Sequence, residues 1–406
     1  MASDLQLLVD HLAEEVGASV VLEDPEHRAL AHSSQVGEID ELRRDSILHR
    51  STPPEIITWH RSYGIMSATA PVLIPAHERL PILPRVCAPT RYRDRLLGFT
   101  WVIDRDGSVA ATHLDAIAKT AEHLALLLYE EQLAQRLMSQ ALSHLLSPSE
   151  ELRAAAAQQI ADQALLSANQ PVVAATIQPL ELPPGSEDAR LILEQGLADV
   201  GWDAPTGSLL RLALSDHAVL VLSCRISEDA TVDELTAAAR LACERRLQAA
   251  HDGPVRVVAA IGDPCHDLAH VVYSYRQARL AARVVAAISS MGDLVRWSEL
   301  GVFRALAQLP TREAQDAALD PRVSALLEAG ESSLVSTVET FLDLAGDVKA
   351  ASEALYLHRG TLYYRLAKAE KLAGVDFSNG YDRLAVHLGL KLARLTGRWC
   401  GGTARV

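Results

Sequence analysis

The densest set of polar side chains at regular spacing lies between Gly346 and Gly374, GDVKAASEALYLHRGTLYYRLAKAEKLAG. Val348, Ala351, Ala354 and Leu355 mark one face of a first helix. A break follows at Tyr356–His358, and a second helix from about Gly360 to Ala373 buries Leu362, Leu366 and Ala369. Two short helices joined by a tight turn make a helix-turn-helix. The outward face of the second shows Arg359, Thr361, Tyr364, Arg365 and Lys368, with His358, Gly360 and Tyr363 around its start and Lys349 on the first helix. Arginine can offer paired donors to a guanine edge, threonine reaches a phosphate or a thymine methyl, and tyrosine hydroxyls donate to phosphates. The N-terminal turn of such a helix is the part that meets base edges in a major groove. A solvated amphipathic face has the same pattern, so spacing alone leaves a protein-docking role open.

Charge narrows the choice. The 406-residue chain carries a formal charge of −14, which argues against coating nucleic acid indiscriminately. From Asp347 to Arg398, nine basic residues stand against five acidic ones, so that segment is +4 and the remainder −18. A basic end on an acidic body fits a DNA-binding module attached to something else.

The block Leu355-Tyr-Leu-His358-Arg359-Gly360-Thr361-Leu362-Tyr-Tyr364-Arg365-Leu366 resembles the C-terminal domain of the PucR/CdaR-type regulators. The likeness runs from about Trp297 to Leu395, through Thr337–Leu342, Tyr381–Leu384 and Leu388–Leu392. It implies that the second helix is a recognition helix and that the protein acts on double-stranded DNA as a homodimer or higher homo-oligomer. Two positions depart from the family: Gly360 stands where Asn is usual, removing a candidate cap, and Tyr363 replaces an Arg. Val258–Pro264 with Ser274–Ala278 is similar to the degenerate GGDEF-type domain of the same family. At the hairpin Leu214–Ala218, where a working cyclase holds metal and triphosphate, there are no paired glycines and a single carboxylate, Asp216. Metal catalysis wants several. The expectation is therefore no enzyme, no cofactor and no metal.

The rest of the chain must position these parts. Residues Leu5 to Ile103 mix short strands (Ala18–Leu22, Ala70–Ile74, Thr100–Ile103) with helices, a layout similar to small sensor domains of the GAF or PAS kind. Trp59, His60, Arg61, Tyr92 and Trp101 are its candidate ligand contacts, because effector sites are apolar pockets with a few polar groups. Arg91, Arg93 and Arg95 read as a solvated face. From Thr112 to Leu146 there is no Pro or Gly, and Leu114, Ile117, Ala121, Leu124 and Leu128 trace a heptad seam. Such a seam can pack on its own domain or pair two helices in a dimer. A further helix is expected from Ser147, with Pro148 at its first position and Glu150 completing a capping box. Residues 170–288 then read βαββαβ plus a helix, a ferredoxin-like sheet.

The fold class is thus a multidomain α/β (α+β) protein. A GAF-like sensor (1–111) is followed by linking helices (112–168), a ferredoxin-like degenerate GGDEF domain (169–296), an all-α helix-turn-helix domain (297–398) and a disordered tail (399–406). No segment approaches the ~20 apolar residues of a membrane helix, and no export signal precedes Val9, so a cytoplasmic protein without membrane contact is expected. The five cysteines lack a CxxC pair and read as buried thiols. The function so indicated is a sequence-specific transcription regulator whose sensor responds to a small-molecule effector or partner. The rival is a nucleotide-signalling enzyme, cyclase or phosphodiesterase, with a helical docking tail.

Overall fold

The computed structural model describes residues 2–34, 40–48, 52–77, 80, 82–163, 166, 168–180, 187–200, 209–223, 229–251, 253–309 and 317–400. It divides into two compact units, 1–138 and 139–406.

The first unit opens on α1 (Ala2–Val16), which buries Leu5, Val9, Leu12, Ala13 and Val16 at helical spacing. Strands β1 (Val20–Glu23), β2 (Ala29–His32), β3 (Val72–Ile74), β4 (Arg85–Tyr92) and β5 (Arg95–Ile103) form an antiparallel sheet in the order β2-β1-β5-β4-β3. Helices α2 (Glu41–Leu48) and α3 (Pro54–Ser62) intervene between β2 and β3, and α4 (Ser108–Thr112) leads into α5 (Leu114–Leu145). At Gly98 of β5 an added Cβ would lie 2.3 Å from the Glu23 carbonyl oxygen, so only glycine lets β1 and β5 meet there. Ile117, Ala121, Leu124 and Leu128 join the same core as α1, β1 and β5. The heptad seam is therefore spent inside this unit, because burying it on the sheet removes its apolar surface from water.

In the second unit, α6 (Glu150–Asp162) begins two residues later than the sequence suggests. Ser149, not Ser147, is its cap, accepting from the Leu152 N–H at 3.4 Å. Strands β6 (Val172–Pro179), β7 (Leu209–Ala213), β8 (Ala218–Ser223), β9 (Val257–Ile261) and β10 (Leu294–Arg296) form a mixed sheet ordered β10-β9-β6-β8-β7, with α7 (Glu187–Ala198), α8 (Asp229–Ala250) and α9 (Val271–Ala287) between them. Four strands follow the expected βαββαβ pattern, and β10 adds a short parallel edge beside β9. Strand β9 shows why its run is apolar throughout: Val257, Ala259 and Ile261 pack with α7 and α8, while Val258 and Ala260 pack with α9 and the C-terminal helices. A sheet covered on both faces needs hydrophobic residues at every position.

After α10 (Phe303–Leu306) the described chain is helical: α11 (Pro321–Glu328), α12 (Ser332–Asp343), α13 (Val348–Ala354), α14 (Arg359–Ala373) and α15 (Gly380–Leu395). Their core is shared with α9, Trp297, Leu300 and Phe303. A buried carboxylate ties this bundle together. Glu339 of α12 accepts from Arg394 Nη2 (2.8 Å), Lys391 Nζ (3.1 Å) and Trp399 Nε1 (2.7 Å). Burial opposes its ionisation, but the bonds from Arg394 and Trp399 and the charge of Lys391 hold its carboxyl below the usual range. Trp399, which the sequence places at the start of the tail, is half-buried against this core. The expectation for 401–406 falls outside the described residues. Of the cysteines, Cys87 and Cys243 are buried, Cys265 is half-buried and Cys400 is exposed; Cys224 lies outside the described residues.

Candidate nucleic-acid interface and ligand cavity

Helix α13 starts at Asp347, whose carboxylate accepts from the N–H groups of Lys349 (2.7 Å) and Ala350 (3.0 Å). It ends in a Schellman motif: the Tyr356 N–H donates to Glu353 O (3.2 Å) and the Leu357 N–H to Ser352 O (2.9 Å). Tyr356 therefore sits at the position that glycine usually takes, with φ +54°, and its ring is 96% exposed. Helix α14 begins at Arg359, one residue earlier than expected. Its cap is the imidazole of His358, which accepts from the Gly360 N–H at 3.1 Å. The missing side chain at Gly360 thus leaves no cap vacant, because the neighbouring histidine fills that role. The helix buries Leu362, Leu366, Ala369 and Ala373 against α11, α12 and α13, and closes at Gly374 in the left-handed region.

This packing fixes what faces outward. Lys349, His358, Arg359, Gly360, Thr361, Tyr363 and Tyr364 are exposed around one end of the two helices. Lys349, Tyr356, His358 and Arg359 also line an open groove at the turn. Two of the expected contacts are placed differently. Arg365 is half-buried, and its Nη1 donates to Thr337 Oγ1 at 3.1 Å and reaches Ser333 O at 3.5 Å, both on α12. Lys368 Nζ is held by both oxygens of Glu331, at 2.6 and 2.7 Å. Lys391 and Arg394 are likewise engaged by α12. Much of the +4 charge of the segment is therefore used inside the bundle, while Lys349, Arg359 and Lys371 remain exposed. Tyr356 and Lys371 are the exposed members of this face that sequence spacing did not single out.

In the hairpin of the middle domain, Asp216 accepts from Arg279 Nη2 (2.9 Å) and lies 2.7 Å from His217 Nδ1, and His217 Nε2 lies 2.9 Å from the Tyr275 hydroxyl. The one carboxylate at that turn is occupied by its own domain. At Gly262 an added Cβ would strike the Ser274 carbonyl at 2.1 Å, which explains glycine at the end of β9. Ser274 in turn accepts from the Ala174 N–H at 2.9 Å.

Of the candidate ligand residues in the first unit, His60 and Trp101 come together, with ring centroids 4.4 Å apart. Trp59 packs beside them, Arg61 is exposed, and Tyr92 stacks on Tyr129 of α5 at 4.3 Å. Arg91 does not lie on a solvated face: it is half-buried and donates to Ala68 O at 2.9 Å. His60 and Trp101 line a small cavity with Glu23, Leu42, Arg43, Thr52 and Arg85. Burial, reinforced by the charge of Arg85, pushes the His60 imidazole down to about 3, so it is neutral. Burial and Arg85 push the Arg43 guanidinium down to about 10, and it stays charged near neutrality. Arg85 is paired with Asp40, which also accepts from the N–H groups of Arg43 and Leu83, each at 2.8 Å.

Residues 334–392 match the PucR C-terminal helix-turn-helix domain, and residues 149–284 match the GGDEF-like domain. Two Bacillus subtilis (strain 168) proteins align along nearly the whole chain. The proline-responsive transcriptional activator PutR is 21% identical over 97% of this chain and 97% of its own length. The DNA-binding transcriptional activator AdeR is 21% identical over 96% of this chain and 93% of its own. Among solved structures, the regulator of polyketide synthase expression from Bifidobacterium adolescentis covers 64% of this chain and 98% of its own at 16% identity, with a TM-score of 0.28. PelD from Pseudomonas aeruginosa PA14 covers 66% and 82% at 16% identity, with a TM-score of 0.18. Among the described residues no helix is long and apolar enough to cross a membrane. A GGDEF-like domain followed by a PucR-type helix-turn-helix, on a chain aligned end to end with two transcriptional activators, gives this protein the architecture of the PucR/CdaR-type regulators.

Proposed function

We propose that this chain is a sequence-specific regulator of transcription that reads DNA with the first turns of α14. The observation that carries the reading is the exposed set Arg359, Thr361, Tyr363 and Tyr364 on a helix whose opposite face is locked into a packed bundle. Arg359 is placed to meet a base edge, and Lys349, His358, Thr361 and the two tyrosines to contact phosphates or sugars. Arg365 and Lys368 act from behind, fixing α14 on α12 and its flank. A homodimer would present two such helices to a two-fold site.

The first unit is assigned the sensor role and the middle domain a non-catalytic one. Support for the first comes from PutR, which aligns with the chain throughout and is proline-responsive by name. Support for the second is the occupied hairpin carboxylate Asp216. Footprinting of the full-length protein on DNA upstream of its own gene tests the reading. A protected, salt-sensitive site is expected, and uniform binding without a preferred site would refute sequence-specific recognition.

A further inference from the structure

Helix α13 ends at a position that glycine ordinarily takes, and a tyrosine holds it. The hydrogen bonds that close the helix put Tyr356 at φ +54°, where a side chain costs free energy that glycine avoids. His27 lies in the same backbone region, but it is fully buried and stacked on Phe99 at 4.9 Å. Tyr356 has no such compensation, because it is almost wholly exposed. A strained residue kept without local return points to a role outside the fold itself.

Its neighbours show what that role is. Lys349, Glu353 and Tyr356 stand four and three residues apart, so they extend one line along α13 into the turn. With His358 and Arg359 they line an open groove of about 700 Å³. The Asp347 carboxyl is held low first by the Ala350 and Lys349 N–H groups and then by the charges of Lys349 and Arg359, so both cations gather at this turn. Among the described residues, the side chains of Lys349, Tyr356 and Arg359 make no hydrogen bond or ion pair. Arg365, Lys368, Lys391 and Arg394, by contrast, are all engaged by carboxylates or hydroxyls of their own bundle.

We propose that this groove seats one backbone phosphate of double-stranded DNA, with the Tyr356 hydroxyl and the Lys349 ammonium as its donors and Arg359 passing beside it to a base edge. The inference rests on the reading of α14 as the helix that meets DNA, and it adds the turn and α13 to the contact. A phosphodiester carries one negative charge and oxygens that accept hydrogen bonds, which suits an ammonium beside a phenol. The two cations of the groove outnumber its one anion, Glu353, which opposes the phosphate. A hydroxyl adds direction without adding charge, so Tyr356 fixes register on the duplex and not sequence. Glycine would relax the turn and leave the phosphate to Lys349 alone.

The test measures the affinity of the full-length protein for its footprinted site across a range of salt, with Tm recorded in parallel. Tyr356→Phe keeps the ring and the backbone and loses only the hydroxyl. Its affinity is expected to fall about three- to tenfold, the loss of one hydrogen bond, with salt slope and Tm unchanged. Lys349→Gln is expected to weaken binding and lower the salt slope by about one. Glu353→Gln is expected to tighten binding. A methylphosphonate, which removes the charge of one phosphate, is then scanned through the site. At one position it is expected to cost the wild type more affinity than it costs Tyr356→Phe. Tyr356→Phe decides alone if either charge variant loses Tm. Wild-type affinity in Tyr356→Phe, an identical scan in the two proteins, or weaker binding by a folded Glu353→Gln would each overturn the proposal. If Arg359→Ala loses the site while Tyr356→Phe keeps it at full affinity, only this assignment fails. If the wild type protects no site, the reading of α14 fails with it.

Discussion

The Arg365 guanidinium on α14 donates to Thr337 Oγ1 on α12 across 3.1 Å, and Thr337 itself is fully buried. The arginine nearest the middle of α14 is therefore a strut between helices. Arg365→Ala is expected to destabilise the C-terminal bundle by about 1–2 kcal/mol, the worth of a charge-assisted hydrogen bond and its packing. Any loss of DNA affinity should follow the loss of folded protein. Denaturant unfolding alongside gel shift checks this, and lost affinity at unchanged stability would return Arg365 to the groove.

Tyr356 occupies a left-handed backbone position with almost no burial to offset the strain. Tyr356→Gly is expected to raise stability by about 1 kcal/mol, because a non-glycine residue costs about that much there. If the tyrosine is kept for DNA, the same change weakens binding. A Tm measurement with an affinity measurement separates the two effects, and a glycine variant of lower stability would contradict the strain argument.

Glu331 holds Lys368 at the flank of α14. Glu331→Gln releases the ammonium and removes a negative charge near the proposed DNA path. Affinity for DNA is expected to rise and the salt slope to steepen by about one counterion. An unchanged slope would show that Lys368 lies out of reach of the phosphates.

Acid should weaken the C-terminal bundle through Glu339 and Asp343. Burial disfavours both anions, yet hydrogen bonds from Arg394 and Trp399, and from His387 and Lys391, hold both carboxyls below their ordinary values. A carboxyl depressed in the folded state stabilises above its unfolded pKa, and that contribution is lost as pH falls through the folded value. Glu339→Gln is expected to cost about 2 kcal/mol at neutral pH, since it leaves Arg394 and Lys391 without their buried anion. The gap between variant and wild type should close in acid. A gap independent of pH would mean that shape, and not charge, is lost.

The helices of the C-terminal bundle were legible because their apolar residues repeat at helical spacing and sharp signals bound them: Asp347 before α13, Gly374 after α14. The direction of Arg365 was not legible, because its partner Thr337 is far off in sequence and a helical pattern cannot tell a groove-facing arginine from one lying against a neighbouring helix. The same holds for Lys368 and Glu331. In the first unit, His60 and Trp101 stood out as aromatic and polar, but Glu23, Arg43 and Arg85 did not. The pairing of β1 and of β4 with β5 brings Glu23 and Arg85 to the cavity that Trp101 lines, and α2 adds Arg43. The apolar stripe of α5 left two packings open, because such a stripe fits a sheet as well as a second helix; its residues join the core of the first unit.

The most direct test of the account is the affinity of Arg359→Ala for the footprinted site, measured by fluorescence anisotropy across a range of salt with Tm recorded in parallel. A loss of about tenfold or more at unchanged Tm is expected, as when a base contact worth about 1–3 kcal/mol is removed. Wild-type affinity and salt slope in that variant would contradict it.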